Sequence, residues 1–391
     1  MPDMHSLIRI AVMIELMFAA CAFAQETAVG DSSQGILLYF GSTGAKAEGV
    51  SVARFDPATG SISTPQVAAK LGGASFIAIH PSAKFLYAVG QVEDASKNKV
   101  GVVVSYAIDP ASGKLTELNQ QSSGGKGPCF VGLDQTGATA LVANYGDGVV
   151  SVMPVGADGK LAAPTARVQH EGKGPNEKRQ AGPHAHSFFV DPTNRYALAC
   201  DLGIDKVMIY KLDAAKSTIE PNDPPAGIVA PGSGPRHLAF GKSGKFLYVI
   251  NEMGGTITAF AWDTSRGAMS QVQTVATLPE DFTGTNTAAE VRVHPSGKFL
   301  YGSNRGHHSI AIFDIDETTG KLTPKGRVSS GGKTPRNFAI DATGKWLLAA
   351  NQNSDNVVVF AVDPATGELT KTANEAHIGA PTCIRWVPTG P

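Results

Sequence analysis

Two turn motifs recur along this chain at intervals of about 50 residues, and this period constrains the fold more than any other feature. The first motif is Asp/His-Pro-Ser/Thr-Gly-Lys, complete or degraded, followed by an apolar run. Its copies begin at His80, Asp134, Asp191, Gly241, His294 and Asp341. The second is Asp-Pro-Ala-Thr-Gly-x-Leu/Ile, and its copies begin at Asp56, Asp109, Gly156, Asp213, Asp263, Asp316 and Asp363. A repeat of this period is typical of folds built from similar units in series.

Short runs rich in Val, Ile, Phe and Tyr separate the turns, for example residues 246–250, 256–260 and 357–360. They have the length and composition of β-strands, and no sustained helical period follows residue 30. Each repeat therefore holds about four strands, which predicts the blade of a β-propeller.

The two ends of the chain predict how the ring closes. Residues 36–40 resemble the second strand of a blade, whereas residues 381–386 resemble a lone first strand. Joined, they complete a seventh blade and remove the exposed sheet edges. We therefore predict an all-β, seven-bladed β-propeller that forms a single domain over residues 25–391. A six- or eight-bladed ring would need a miscounted repeat, and a β-helix would need a much shorter period.

Residues 1–24 have the pattern of a signal peptide. An apolar run over residues 10–23, interrupted by Glu15, leads to the cleavage site Ala22-Phe-Ala24. This pattern predicts a secreted or periplasmic protein, or a cytoplasmic one if the leader is not a true signal. Because the run is too short for a mature membrane span, we expect no membrane association unless Cys21 is lipidated.

Charge and cysteine usage narrow the set of partners. The net charge of -1 leaves no electrostatic footprint for nucleic acid. Beyond the leader, Cys129, Cys200 and Cys383 are odd in number and scattered, which predicts neither a disulfide framework nor a metal site. Each lies in an apolar run, so we expect small buried side chains. We expect a monomer without a cofactor or metal.

Alignment of the repeats on the first turn shows where they differ. Five residues before the turn, at the start of the innermost strand, stand Ser75, Cys129, His186, Arg236, Ala289 and Arg336, with Thr382 in the closing blade. Eleven residues after the turn, at the end of the second strand, stand Gln91, Tyr145, Leu202, Glu252, Arg305 and Gln352. A hairpin places these two ends side by side, so both rows are expected at one mouth of the central channel. The Asn and Asp residues one position earlier, from Asn144 to Asn351, are expected to close strand-end turns.

This channel mouth is predicted to be rich in charge. Three arginines, Arg236, Arg305 and Arg336, accompany Glu252, and an excess of guanidinium groups suits an anionic ligand. The structural alternative is a salt-bridge network that joins neighbouring blades, since buried charges must be paired or used. His184 and His186 could likewise serve only as hydrogen-bonding strand residues.

Two long connections, residues 170–183 and 277–287, are expected to reach the same mouth. Loops of this length in an otherwise tight repeat are usually functional.

Several stretches resemble the lactonase family of seven-bladed propellers, which includes propeller-type 6-phosphogluconolactonases and fungal carboxy-muconate cyclases. They are Gly182-Pro-His-Ala-His186, Gly234-Pro-Arg-His-Leu-Ala-Phe240, Asn251-Glu252, residues 294–307 and Gly331-Gly-Lys-Thr-Pro-Arg-Asn-Phe338. The resemblance covers the whole chain after the leader. It implies a catalytic set of His186, Arg236, Glu252 and Arg305, with Arg292 as a second candidate for the last role. Around this set we place His184, Arg292, Arg336, Tyr145 and Gln352 as substrate-binding residues.

The resulting hypothesis is a metal-independent lactonase that hydrolyses, or reversibly closes, a sugar-acid lactone such as 6-phosphogluconolactone or a related aldonolactone. One arginine would hold an anionic group, another would polarise the lactone carbonyl, and His186 or Glu252 would act as the general base. Family members meet 6-phosphogluconolactone in the cytoplasm, so the predicted leader leaves the substrate open.

Two alternatives belong to other classes. One is a secreted propeller that serves as a binding scaffold without enzymatic activity. The other is a Ca²⁺-dependent gluconolactonase-like propeller, which would need several carboxylates at one site, whereas the aligned rows offer only Asp201 and Glu252.

Overall fold

The computed structural model describes residues 35–388, so the predicted signal peptide, Cys21 and residues 25–34 lie outside the described residues. Within this range, 28 strands form seven four-stranded antiparallel sheets, the blades of a seven-bladed β-propeller. The predicted fold class is confirmed.

Each blade consists of four strands, named below from the innermost strand to the outermost. The first blade contains β28 (Pro381–Trp386), β1 (Ile36–Ser42), β2 (Val50–Phe55) and β3 (Gln66–Ala69); the second contains β4 (Ile77–Ile79), β5 (Phe85–Glu93), β6 (Lys99–Ile108) and β7 (Leu115–Ser122). The third contains β8 (Pro128–Leu133), β9 (Thr139–Asn144), β10 (Val149–Pro154) and β11 (Ala166–Gln169); the fourth contains β12 (Ala185–Val190), β13 (Tyr196–Asp201), β14 (Lys206–Asp213) and β15 (Thr218–Ile228). The fifth contains β16 (Pro235–Phe240), β17 (Phe246–Asn251), β18 (Thr256–Asp263) and β19 (Ala268–Ala276); the sixth contains β20 (Ala288–Val293), β21 (Phe299–Asn304), β22 (Ser309–Ile315) and β23 (Leu322–Ser329). The seventh contains β24 (Pro335–Ile340), β25 (Trp346–Asn351), β26 (Asn356–Val362) and β27 (Leu369–His377).

The first blade joins strands from both ends of the described chain. Strand β28 pairs with β1 in antiparallel register, with Leu38 opposite Trp386 and Phe40 opposite Ile384. Leu38, Phe40 and Ile384 are fully buried. This pairing closes the ring as predicted and covers the edge of β1.

The repeated turns also connect neighbouring blades. Buried tyrosines on second strands donate hydrogen bonds to glycine carbonyl oxygens in the next blade: Tyr87 to Gly159 at 3.1 Å and Tyr301 to Gly367 at 2.8 Å. The two glycines have φ values of 79° and 71°, a conformation that side chains with a Cβ rarely adopt. The Asp-Pro-Ala-Thr-Gly motif therefore ends on glycine because the turn geometry requires it.

The core lies between the faces of adjacent blades. Residues from Leu347 to Ala350 on β25 are all fully buried, and other second strands show the same continuous burial. This burial on both faces explains why these strands are apolar runs without a polar-apolar alternation. Among the described residues, no helix is long and apolar enough to cross a membrane.

Candidate active site

Every innermost strand except β4 has a β-bulge near the point where it begins. In the register of β12 with β13, His186 is the extra residue between Ala185 and Ser187. Arg236 and Arg336 occupy the same position in their blades, as does Cys129. A bulge sets two residues against one partner and redirects their side chains. The row of residues that the repeat alignment identified is therefore the row of bulge residues, except in the second blade, where Ser75 precedes β4.

A cavity of about 460 Å³ lies at this mouth of the channel. Its lining combines both aligned rows with residues from the two long connections. The lining residues are Thr43, Gly73, Ser75, Gln91, Gly127, Pro128, Cys129, Tyr145, Arg179, His186, Glu252, Thr287, Arg305 and Arg336.

Glu252 lies at the centre of an arginine cluster. Its Oε2 atom is 2.7 Å from Nη2 of Arg305 and 3.1 Å from Nε of Arg236, and its Oε1 atom accepts from Nη2 of Arg179 at 2.6 Å. Burial opposes the ionisation of this carboxyl, but Arg305 and Arg236 outweigh it and lower the pKa to about 2. Glu252 is therefore a stable carboxylate that orients guanidinium groups, and such a carboxylate is a weak base.

Two of the arginines have further partners that fix their position. Arg236 is buried, and its Nη1 atom donates to the carbonyl oxygen of Ala289 in the next blade at 2.6 Å. Burial, followed by the neighbouring Arg305 and Arg336, lowers the pKa of Arg236 to about 9, so the group remains a cation at neutral pH. Arg305 donates to the carbonyl oxygen of Ala288 at 3.2 Å. The network that joins adjacent blades, foreseen as the structural alternative, is thus present.

Arg336 differs from Arg179, Arg236 and Arg305. Among the residues 35–388, no carboxylate lies within ion-pair distance of it, and its side chain contacts Oε1 of Gln352 at 3.4 Å. Burial and the charge of Arg305 lower its pKa. The guanidinium groups of Arg179, Arg305 and Arg336 line the cavity with a single carboxylate, and Arg236 contacts that carboxylate from outside the lining. The cavity therefore has an excess of positive charge that suits an anion.

His186 contributes a neutral imidazole to the cavity wall. The residue is only 4% exposed, and burial together with the charge of Arg236 holds its pKa well below the ordinary value. The ring of Tyr145 meets it edge-on, with centroids 5.6 Å apart. A neutral imidazole can accept a proton, so His186 has the protonation state that a general base needs.

The remaining predicted binding residues support this wall or lie elsewhere. The ring of His184 stacks on that of Tyr145 at 4.5 Å, and its Nδ1 atom donates to the Tyr145 carbonyl oxygen at 2.8 Å. Gln352 holds Arg336 and donates to the carbonyl oxygen of Thr43 at 3.4 Å. These two residues therefore position lining groups and are not part of the lining themselves.

The placement of Arg292 at this mouth is wrong. Arg292 lines a separate cavity of about 500 Å³ together with Arg385 and Trp386. It follows the bulge residue Ala289 by three positions on β20, and three residues of a strand span about 10 Å. That distance carries the side chain away from Glu252 and along the channel.

Two lining residues differ from the sequence-based expectation. Arg179 was not singled out, because it lies in the long connection 170–183, which has no counterpart in the repeat; the length of that loop was the available signal. Cys129 is half-buried in the cavity wall, whereas Cys200 and Cys383 are fully buried as expected. Burial raises the pKa of Cys129 to about 12, so its thiol is protonated and does not provide a nucleophile at neutral pH.

The Asn and Asp row is structural. Nδ2 of Asn144 donates to the carbonyl oxygens of Ser123 and Val149, and Asp201 accepts from the backbone N–H groups of His184 and Gly203. Across residues 35–388, no group of three or more His, Cys, Asp or Glu side chains converges as a metal site would require.

Comparison with known proteins assigns the family. Residues 37–386 match the family described as lactonase, 7-bladed beta-propeller. The chain is 37% identical to a 6-phosphogluconolactonase of Bacillus subtilis over 75% of its own length and 81% of the relative. It is 33% identical to a 6-phosphogluconolactonase of Formosa agariphila over 68% of its length and 75% of that protein.

A solved structure shows the same arrangement. The periplasmic gluconolactonase of Pseudomonas aeruginosa superposes with a TM-score of 0.84 at 34% identity, covering 90% of this chain and 99% of that one. The chain therefore belongs to the lactonase family of seven-bladed β-propellers.

Proposed function

We propose that this chain hydrolyses an anionic sugar-acid lactone in the cavity around Glu252. Family membership makes it a lactone-hydrolysing enzyme rather than a binding scaffold; the substrate and the mechanism are the proposal. The observation that carries it is the excess of guanidinium groups around a neutral His186 in one cavity. Positive charge attracts the anion and stabilises the oxyanion, and the imidazole accepts the proton of water.

The mechanism assigns different tasks to the arginines. Arg336, which lacks a carboxylate partner among the described residues, binds the phosphate or carboxylate of the substrate. Arg305, held by Glu252 and by a backbone carbonyl oxygen, faces the lactone carbonyl, and the buried Arg236 holds Glu252 in place. Guanidinium groups fixed in this way stabilise the developing oxyanion without reorganisation.

His186 supplies the proton transfers. Water attacks the carbonyl carbon and passes a proton to the imidazole. The tetrahedral intermediate collapses, the bond from the carbonyl carbon to the ring oxygen breaks, and the imidazolium returns the proton to that oxygen. The product is the open hydroxy acid. His186 is favoured over Glu252 as the base because three guanidinium groups already occupy the oxygens of Glu252, whereas His186 is a neutral ring in the cavity wall.

The donor set supports a reaction without a bound metal. Glu252 is the one carboxylate among the described residues that line the cavity, and three guanidinium groups already occupy its oxygens. A hard divalent cation would have to displace these arginines.

We also propose that the protein acts outside the cytoplasm. The pattern of residues 1–24 and the similarity to a periplasmic gluconolactonase support this location. The phosphorylated lactone named for the bacterial relatives and an unphosphorylated aldonolactone therefore both need testing.

The test is a hydrolysis assay of the purified protein on 6-phosphogluconolactone and on gluconolactone, after subtraction of the spontaneous rate. We expect a higher kcat/KM on the phosphorylated lactone, and Arg336→Gln should remove most of this preference. Arg195→Gln, which removes an exposed arginine outside the cavity, is the charge-matched control. If neither lactone is hydrolysed above the spontaneous rate, the proposed activity is refuted. If kcat/KM is the same for both lactones, the preference for an anion is refuted.

A further inference from the structure

A second layer of polar groups lies in the channel behind His186, and the mechanism above does not use it. His237 and Glu290 belong to this layer and are 1% and 0% exposed. His237 follows the bulge residue Arg236, and Glu290 lies within the bulge of β20. Fully buried ionisable groups are costly to a fold, so a pair of them calls for a role.

The contact between these two residues fixes the proton on His237. Its Nδ1 atom is 3.2 Å from both carboxylate oxygens of Glu290. Burial opposes ionisation of Glu290, but the charge of Arg292 and the hydrogen bond from His237 outweigh it and lower the pKa to about 2. An ionised carboxylate only accepts, so Nδ1 of His237 must donate. Burial lowers the pKa of His237 to about 4, so the ring is neutral and Nε2 carries the lone pair.

Two ring nitrogens in this region have no partner. Nδ1 of His186 and Nε2 of His237 are both buried, and neither has a hydrogen bond within residues 35–388. The two rings are neighbours, with centroids 5.3 Å apart and planes inclined at 66°. Buried polar atoms are nearly always satisfied by protein or by an ordered water. Nε2 of His237 is an acceptor, and Nδ1 of His186 can donate.

We propose that His237 and Glu290 position His186 through a hydrogen bond from Nδ1–H of His186 to Nε2 of His237, made directly or through one water molecule. This bond places the proton of neutral His186 on Nδ1. Because Nδ1 is the buried nitrogen of a ring that lines the cavity, Nε2 and its lone pair are left to face the substrate. The role of this lone pair as the general base rests on the proposed function, whereas the tautomer does not.

The same arrangement stabilises the imidazolium that forms during hydrolysis. Arg236, Arg305 and Arg336 disfavour a positive charge on His186, and His237 itself is neutral. Glu290 provides a negative charge next to His237 and shares it with Arg292, whose Nε atom lies 3.4 Å from Oε1 of Glu290. A carboxylate that acts through an oriented imidazole is a known way to fix a tautomer and to support its protonated form.

The experiment compares Glu290→Gln and His237→Phe with the wild-type protein. Phenylalanine suits the second site because Phe76 and Phe130 already surround His237, with ring centroids 5.6 and 5.8 Å away. Glu375→Gln is the matched control, since Glu375 forms an exposed pair with a histidine at 3.6 Å. Thermal unfolding verifies that each variant is folded.

Two readouts separate positioning from a purely structural role. In ¹⁵N NMR of histidine-labelled protein, His186 should be protonated at Nδ1 in the wild type and should lose this preference in both variants. On the lactone, kcat should fall by about 10–100-fold with little change in KM. In Glu290→Gln, the acid limb of the pH profile should also move to lower pH, because removing a nearby negative charge lowers the pKa of His186.

The outcomes distinguish this inference from the proposed function. If both variants fold and keep the kcat, the pH profile and the His186 tautomer of the wild-type protein, the positioning role is overturned. If instead His186→Gln retains full activity while the tautomer depends on His237 and Glu290, the hydrogen bond stands and the assignment of the base fails.

Discussion

Replacement of Glu252 by glutamine removes the negative charge at the centre of the arginine cluster and keeps the shape of the side chain. The residue is 4% exposed, and its oxygens lie 2.6–3.1 Å from three guanidinium groups. A carboxyl whose pKa falls from 4.5 to about 2 on folding contributes about 3 kcal/mol to the free energy of unfolding at neutral pH. Loss of one partner of a buried ion pair costs a similar amount, about 3–5 kcal/mol.

This contribution depends on pH in a defined direction. Because the pKa of Glu252 is lower in the folded state, its contribution is complete above the unfolded pKa of 4.5 and is lost as the pH falls through about 2. Glu252→Gln has no carboxyl to titrate. The deficit of the variant should therefore be about 3 kcal/mol at pH 7, roughly half of that at pH 3, and close to zero at pH 2.

Urea-induced unfolding, followed by circular dichroism at pH 7 and pH 3, measures this deficit. Glu375→Gln serves as the control because its carboxylate is exposed, and its stability should change by less than about 0.5 kcal/mol. A deficit below about 1 kcal/mol at pH 7, or one that does not decrease toward pH 3, would refute the account of Glu252 as a buried, arginine-bound carboxylate.

Three further predictions concern other parts of the molecule. Arg179→Met removes the contact between the connection 170–183 and Glu252, so KM for the lactone should rise several-fold. Lys178→Met, at the exposed neighbouring position, should leave KM unchanged, and steady-state kinetics measures both variants. Iodoacetamide at pH 7.5 should leave lactonase activity intact because burial keeps Cys129 protonated, and rapid inactivation with labelling of Cys129 would contradict this. Gly367→Ala should lower the free energy of unfolding by about 1–3 kcal/mol, because φ is 71° and an added Cβ would lie 2.5 Å from a buried aromatic ring. Gly326→Ala is the control, since an added Cβ there has nothing within 4 Å and should leave stability nearly unchanged. Urea-induced unfolding measures both variants.

The fold could be predicted from sequence because the same two turn motifs recur once in nearly every blade. Six of the seven copies of the second motif carry a glycine whose left-handed backbone the turn requires, as at Gly367, and Ser217 adopts the same conformation in the remaining copy. The copies therefore mark the blades directly. The unmatched strands at the two ends then indicated how the ring closes, and β28 does pair with β1. Contacts within a blade are local, and this makes the count reliable.

The site was predictable only where it follows the repeat. His186, Arg236 and Arg336 stand out because the same position of the repeat holds small residues in the other blades. Arg179 belongs to a long connection that has no counterpart in the other repeats, so an alignment of the repeats could not place it beside Glu252. Arg292 was misplaced because residue type was weighed above its position three residues farther along the strand.

The second layer could not be inferred from sequence for a different reason. His237 and Glu290 meet across two blades, 53 positions apart in the chain. Their role depends on a contact between neighbouring blades and on the burial of individual ring nitrogens, neither of which a periodic pattern encodes.

The central claim is that lactone hydrolysis takes place at this cavity with His186 as the base. The most direct test is kcat for hydrolysis of the preferred lactone by His186→Gln, with His377→Gln, an exposed histidine on the outer strand β27, as the control. The account predicts a fall of about 10²–10⁴-fold for His186→Gln and no change for His377→Gln. A folded His186→Gln protein that retains wild-type kcat would contradict it.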